Sequence, residues 1–327
     1  MGVIASAPAK VILFGEHFVV YGEPAIVMGI DKKAYAKVEG RNDKNLYLRS
    51  TNLNLSGTFE GGTFKVERGD AREARSRFEP IKLAVEKVFE KHGEKVGLNI
   101  EVTSTVPVAA GLGSSAAVVA AVTAATSAFL KMKITKEEIF RITYEAEKIV
   151  HGTPSGVDPA IATFGGALLF QMDTGFRPLF IKGEIPLVIG DTSVERSTRV
   201  MVEKVRNLRD KYPHIVELLM RTAREVVLKA VEALDENDLE ALGTLMNINH
   251  ALLYGVGVSD ESLERLIYAA RKAGALGAKL TGAGGGGCMI ALTENEKLER
   301  VSEAIQMVGG RPFIAKKSDE GVKVEQI

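Results

Sequence analysis

The chain has 327 residues, 46% of them hydrophobic and 26% charged, which is ordinary globular composition and long enough for one core to divide into two domains. Lysine and arginine balance aspartate and glutamate at 42 each, so no global field recruits nucleic acid or an anionic membrane, and small-molecule partners are expected. A single cysteine excludes a disulfide framework, five histidines without HExxH or paired-cysteine spacing argue against zinc, and no apolar run reaches the roughly 18 residues that span a bilayer.

The N-terminus has neither the basic nor the apolar region of a signal peptide, and a cytoplasmic protein is expected. Met1 to Ser6 satisfies a myristoylation pattern, but a strand-like run follows and no second lipid signal accompanies it, so no lipid anchor is expected. The early part of the chain reads as strands: AKVILFG, AIVMGI, AYAKVEG and NLYLRS are short, rich in β-formers and separated by Gly, Asp or Asn. The next stretch, GTFEGGTFKVERGDAREARSRFEP, breaks that pattern with glycine and charge and reads as a solvated connection. A helix, IKLAVEKVFEKHG, then ends on Gly93 with a Lys and a His in its last turn.

A strand, LNIEVTST, leads into VPVAAGLGSSAAVVAAVTAAT. Gly111 and Gly113 allow the backbone to approach a ligand, and Ser114, Ser115 and Ala116 begin a helix with free N–H groups and the positive end of its dipole. The physics is that of an anion cradle, against which stands a tight strand-to-helix turn whose glycines serve packing alone. The same string satisfies the dinucleotide pattern G-x-G-x-x-A, yet two helices follow where that pattern needs a second strand closed by an acidic residue. No Walker sequence occurs.

Three other stretches carry chemistry. Lys10 stands among small and apolar residues of a strand, where a lone ammonium would be expensive and a buried partner is implied; Glu16 and His17 follow it after Gly15. Glu147 borders an apolar stripe of Ile139, Ile142, Ala146, Ile149 and Val150, and the loop beyond delivers Asp158 just before Pro159. Glu147 as a solvated charge and Asp158 as a helix cap with proline at the first helical position are the plain alternatives. Finally, Leu280 to Cys288 holds five glycines between two strands, more than a hairpin turn needs. Beyond residue 180, PLVIGDT, the strands flanking those glycines, NEKLERVSEAIQMVG and RPFIAKK arrange as strand, helices, strand, strand, helix, strand, a second α+β layer of ferredoxin-like type.

Taken in order, SAPAKVILFGEH, PVAAGLGSSAA and KLTGAGGGGC resemble the three motifs of the GHMP kinases over nearly the whole chain. GEHFVVYG, HGTPSGVD and DTSVERST are similar to the mevalonate kinase branch in its compact archaeal form. The resemblance implies an α+β, two-domain GHMP kinase fold, with an N-terminal mixed α+β domain over 1–180 and a ferredoxin-like C-terminal domain over 181–327. It implies Mg2+ with ATP, mevalonate as acceptor, and a cytoplasmic homodimer. ATP would be bound by Pro107, Ala110, Gly111, Leu112, Gly113, Ser114, Ser115 and Ala116, with Gly282, Ala283, Gly284 and Gly285 closing from the second domain. The metal would lie on Ser115 and Glu147, Lys10 and Asp158 would be catalytic, and Lys10, Glu16, His17, Asp158 and Arg196 would meet the substrate. Another small-alcohol or sugar kinase of the same superfamily, or a silent binding protein on its scaffold, are the alternatives.

Overall fold

A computed structural model describes residues 2–106, 111–151, 155–194 and 197–326. The chain opens with β1 (Val3–Phe14), a short 3₁₀ turn over Phe18–Tyr21, and β2 (Ala25–Arg41). β3 (Leu46–Ser50), β4 (Leu55–Glu60) and β5 (Thr63–Arg68) follow, then α1 (Ala71–His92) and β6 (Gly97–Ser104). Three helices, α2 (Ser114–Phe129), α3 (Lys136–His151) and α4 (Val157–Phe164), precede the hairpin of β7 (Ala167–Gln171) and β8 (Gly175–Leu179). These strands build one mixed sheet in the order β13-β1-β2-β6-β3-β4-β5, with β7 added on β2 and β8 on β7, where β13 (Lys323–Gln326) is the last strand of the chain. Among the described residues, only the β3–β6 pairing of this sheet is parallel.

The second sheet holds β9 (Leu187–Asp191), β10 (Gly277–Thr281), β11 (Cys288–Leu292) and β12 (Arg311–Ala315) in the order β10-β11-β9-β12, all antiparallel. Between β9 and β10 run α5 (Thr198–Lys211), α6 (Pro213–Glu236), α7 (Leu239–Gly255) and α8 (Glu261–Lys272), and α9 (Leu298–Met307) joins β11 to β12. This is the expected ferredoxin-like order, enlarged by extra helices.

Two features of the packing place the site. Helix α2 is apolar all round, and its buried alanines 116, 117, 120, 121, 124 and 125 let it lie close under the sheet. Strand β1 changes register against β2 between Pro8 and Ala9, where proline has no N–H to give the ladder. Before that irregularity Ala5 and Ala7 pack in the core beneath α2; beyond it Ala9, Val11 and Leu13 pack with Leu187, Ile189 and Ile290 of the second sheet. One strand thus joins both layers.

Three local expectations differ. The segment 57–80 is no solvated connection: β4 and β5 turn on Gly61 and Gly62, and α1 begins at Ala71 with the Asp70 side chain accepting from the Glu73 N–H at 2.8 Å. Pro80 lies inside that helix at a cost of about 3 kcal/mol, which the burial of Phe78, Ile81, Val85, Val88 and Phe89 offsets. The two strands read at 25–30 and 34–40 are one long β2, whose two halves pair with different neighbours, β7 and β6. The chain also does not end on β12, because β13 returns to pair with β1.

Candidate active site

Side chains alternate along β1, so with Ala9 and Val11 committed to the core, Lys10 faces the other way, toward the head of α2. Its own N–H donates to the Leu112 carbonyl at 2.8 Å, which fastens the Gly-Ser loop to the strand. Its ammonium lies 3.2 Å from Asp158 Oδ1. Asp158 is the second residue of α4, whose N-cap is Gly156 at φ 84°, so the alternative of Asp158 as a capping residue is excluded. Gly113, the N-cap of α2, has φ 73°, and a Cβ there would stand 2.9 Å from Lys10 Cγ and 3.6 Å from Asp158 Oδ2. Among the described residues no side chain caps α2, so its first N–H groups point to a ligand site. Ser115 is exposed at that end, on the wall of the cleft.

Glu147 comes from α3 and is 4% exposed, which rules out the solvated-charge alternative. Burial first, and the Asp158 carboxylate second, push its carboxyl up to about 8, with Lys10 opposing. A buried carboxylate whose surroundings disfavour its charge, sharing a wall with a serine hydroxyl, suits a hard divalent cation that keeps waters and phosphate oxygens among its ligands. No cluster of three or more His, Cys, Asp or Glu exists among the described residues to form an all-protein metal cage.

The loop after β1 supplies Glu16 and His17. Glu16, expected at the acceptor's hydroxyls, borders the cleft like His17, but its side chain is fully buried and ion-paired with the equally buried Lys279 of β10. Burial drives the Glu16 carboxyl up and the Lys279 ammonium down, each opposed by the other's charge. His17 does reach the cleft, with Nε2 donating to the Ala283 carbonyl at 2.8 Å. Thr281 Oγ1 accepts from the Ile12 N–H and donates to the Ile12 carbonyl, both at 3.0 Å, fastening β10 to β1. In the glycine-rich loop, Gly284 has φ 73° and passes so close to α8's leading segment that a Cβ would stand 2.0 Å from the Val258 carbonyl oxygen.

The cleft between the layers measures about 610 Å3 and is lined by Lys10, Glu16, His17, Gly111 to Ser115, Glu147, Asp158, Gly282 and Ala283. It continues into an apolar wing beside α2, walled by Leu53, Phe78, Ile81, Val102, Val106 and Val118, which the sequence reading did not foresee. Ala116, Gly284 and Gly285 are not among the residues that line it. Pro107, Ala110 and Arg196 lie outside the described residues; Thr198, two positions beyond Arg196, lines the cleft. Lys279 was missed, although it carries the same signal as Lys10, an ammonium on an otherwise apolar strand. Helix α2 runs into α3 rather than a second parallel strand, so the dinucleotide-binding alternative has no structural context. No helix among the described residues is long and apolar enough to cross a membrane.

The chain matches two protein families, the GHMP kinases N terminal domain over residues 79–166 and the GHMP kinases C terminal domain over residues 230–309. It is 41% identical to a mevalonate kinase of Pyrococcus horikoshii, covering 99% of this chain and 98% of the relative. A mevalonate kinase of Thermococcus sibiricus is 42% identical over 100% of this chain and 99% of its own length. Among solved structures, the mevalonate kinase of L. major in complex with R-mevalonate superposes with a TM-score of 0.82 at 29% identity, covering 96% of this chain and 95% of that one.

Proposed function

This chain belongs to the GHMP kinases and, within them, to the mevalonate kinases, and on that premise we propose that it transfers the γ-phosphoryl group of ATP to mevalonate, giving 5-phosphomevalonate for isoprenoid synthesis. The observation that carries the reading is the Lys10–Asp158 contact, 3.2 Å long, held against the uncapped start of α2 with Glu147 beside it. In this reading the free N–H groups at the head of α2 receive phosphate oxygens, where the helix dipole favours negative charge. The apolar wing between α1, β6 and α2 takes the nucleoside.

Phosphoryl transfer depends chiefly on alignment and on neutralising charge around the transferred group. Asp158 orients the attacking hydroxyl and accepts its proton. Lys10 stands between that carboxylate and the phosphate and balances charge on both sides. Ser115 and Glu147 would hold Mg2+, which when bound neutralises phosphate charge. His17 faces the acceptor, and the glycine-rich loop, to which it is hydrogen-bonded, closes that end. Arg196 stays the expected partner of the acceptor's carboxylate, since a guanidinium binds a carboxylate in two parallel hydrogen bonds.

The test is a coupled ADP-release assay over mevalonate, phosphomevalonate, homoserine, galactose and shikimate. Mevalonate should be turned over best by a wide margin. Faster turnover of another alcohol would move the chain to a sibling kinase activity, and no turnover of any would favour a silent binding protein.

A further inference from the structure

We propose that Lys279 is a positioning residue for the transfer reaction: its buried ammonium holds the Glu16 carboxylate and through it fixes His17 at the acceptor end of the cleft. Glu16 then serves the acceptor through this pair rather than by contact. The inference rests on the kinase reading above and revises one residue role within it.

Three observations carry it. The first is burial: Glu16 borders the cleft, yet neither side chain of the pair has exposed surface, and its carboxylate is taken up by the Lys279 ammonium. Lys279 Nζ also donates to the Leu280 carbonyl at 2.7 Å, whereas Glu16 Oε2 has no hydrogen-bond partner among the described residues. Pairs of this kind seldom stabilise a fold more than apolar side chains of the same volume would, which leaves geometry as their use.

The second is strain. His17 has φ 63° and ψ −47°, and the Phe18 N–H donates to the Glu16 carbonyl at 2.7 Å. That is a γ-turn of the rare positive-φ hand, centred on a residue with a Cβ. Such a conformation persists only where its surroundings over-determine it, and it gathers where a side chain must be aimed.

The third is what does the over-determining. Three consecutive residues are each tied to a different element of the second layer. The Gly15 N–H donates to Asn249 Oδ1 of α7 at 3.2 Å, Glu16 pairs with Lys279 of β10, and His17 Nε2 donates to Ala283 of the glycine-rich loop at 2.8 Å. Register explains why Lys279 is the one that reaches. It lies opposite Ile290 on β11, which packs in the core shared with β1, while its neighbours Ala278 and Leu280 turn to the helices behind. The central tie of the three is the charged one, and it sits directly beside the strained residue.

A mutant cycle in steady-state kinetics tests this with wild type, His17→Ala, the double variant Glu16→Gln/Lys279→Met, and the triple variant. The double variant leaves no lone charge buried, so its melting temperature should stay near that of wild type. Its acceptor KM should rise on the order of ten- to a hundredfold, while the KM for ATP changes by less than about twofold. On the His17→Ala background the same two substitutions should add less than about twofold, because the aim they provide is already lost. An acceptor KM within about twofold of wild type in the double variant would reduce the pair to packing and overturn the proposal. Fold-changes that multiply with those of His17→Ala would overturn it as well, by showing that Glu16 meets the alcohol itself. If the double variant does not fold, Glu16→Met/Lys279→Met, which likewise removes the tie and leaves no lone charge or amide buried, is read against the same two outcomes. Failure of the functional reading is distinct, since it would show as wild-type protein inactive on mevalonate.

Discussion

Lys10 Nζ and Asp158 Oδ1 are 3.2 Å apart although 148 positions separate the two residues, and Gly113 fills the space against both. Asp158→Asn keeps size and hydrogen bonding but removes the charge. If Asp158 orients or deprotonates the alcohol, kcat should fall by about two to four orders of magnitude while mevalonate and ATP still bind. Gly156 is the N-cap of α4, so asparagine does not act by capping it; it keeps a hydrogen-bond acceptor for Lys10 but not the charge, and the melting temperature should fall modestly. Turnover, calorimetric binding and melting on one preparation check this; near wild-type kcat would refute the role.

Gly113→Ala should damage catalysis more than stability. The added Cβ meets Lys10 Cγ at 2.9 Å, and alanine at φ 73° costs about 1 kcal/mol. Gly93→Ala is the control, since Gly93 has a comparable φ of 87° at the end of α1 and open space around its would-be Cβ. Both variants should lose the small cost of alanine at positive φ in denaturant titrations, with Gly113→Ala losing somewhat more because its Cβ displaces Lys10. Only Gly113→Ala should lose kcat, and equal kcat in the two would sink the idea that this glycine makes room for Lys10.

Ser115→Ala and Glu147→Gln should each raise the magnesium concentration needed for half-maximal rate, because each removes one oxygen from a cation that otherwise relies on water and phosphate. Glu147→Gln should show the larger effect, since it deletes a charge as well as a ligand. Rates measured against free magnesium at saturating ATP decide this, and unchanged dependence in both variants would reject the metal assignment.

His250 predicts a pH dependence of stability. Its Nδ1 accepts from the Leu280 N–H at 3.4 Å, so Nε2 carries the proton donated to Glu264 Oε1 at 2.9 Å. Burial depresses its pKa to about 4, opposed by Glu264 and reinforced by the charges of Arg271 and Lys279. The unfolded chain, with an ordinary value near 6.5, binds more protons between those limits. This contribution is therefore fully present above about pH 6.5 and is lost as pH falls toward 4, by up to about 3 kcal/mol. Urea unfolding from pH 7.5 to 4.5 should show that decline, and His250→Gln should flatten it. An identical slope in the variant would assign the decline to other groups.

Much of this protein was legible in one dimension because it depends on neighbours in sequence. The left-handed end of α1 at Gly93, the glycine and serine entrance of α2, the strand carrying Lys10 and the succession of strands and helices in the second layer all follow from local chemistry and periodicity. The residues that line the cleft were legible as motifs, and Lys10, Glu16, His17, Gly111 to Ser115, Glu147 and Asp158 do meet there.

What only the tertiary structure decided concerns partners far apart in the chain. Glu16 stands next to His17 in sequence, and nothing local distinguishes a carboxylate that meets a substrate from one locked to Lys279, 263 positions away. Pro80 reads as a helix boundary until the surface that α1 buries on the core is known. The return of the last strand to β1, where Ser6 donates to Glu325, is set by an open sheet edge that no local pattern announces. Backbone propensity acts over a few residues, whereas burial of charge and strand pairing are properties of the folded whole. For that reason the sequence determined the chemistry available to this protein, and the packing of two layers decided which charged groups face the cleft and which hold them in place.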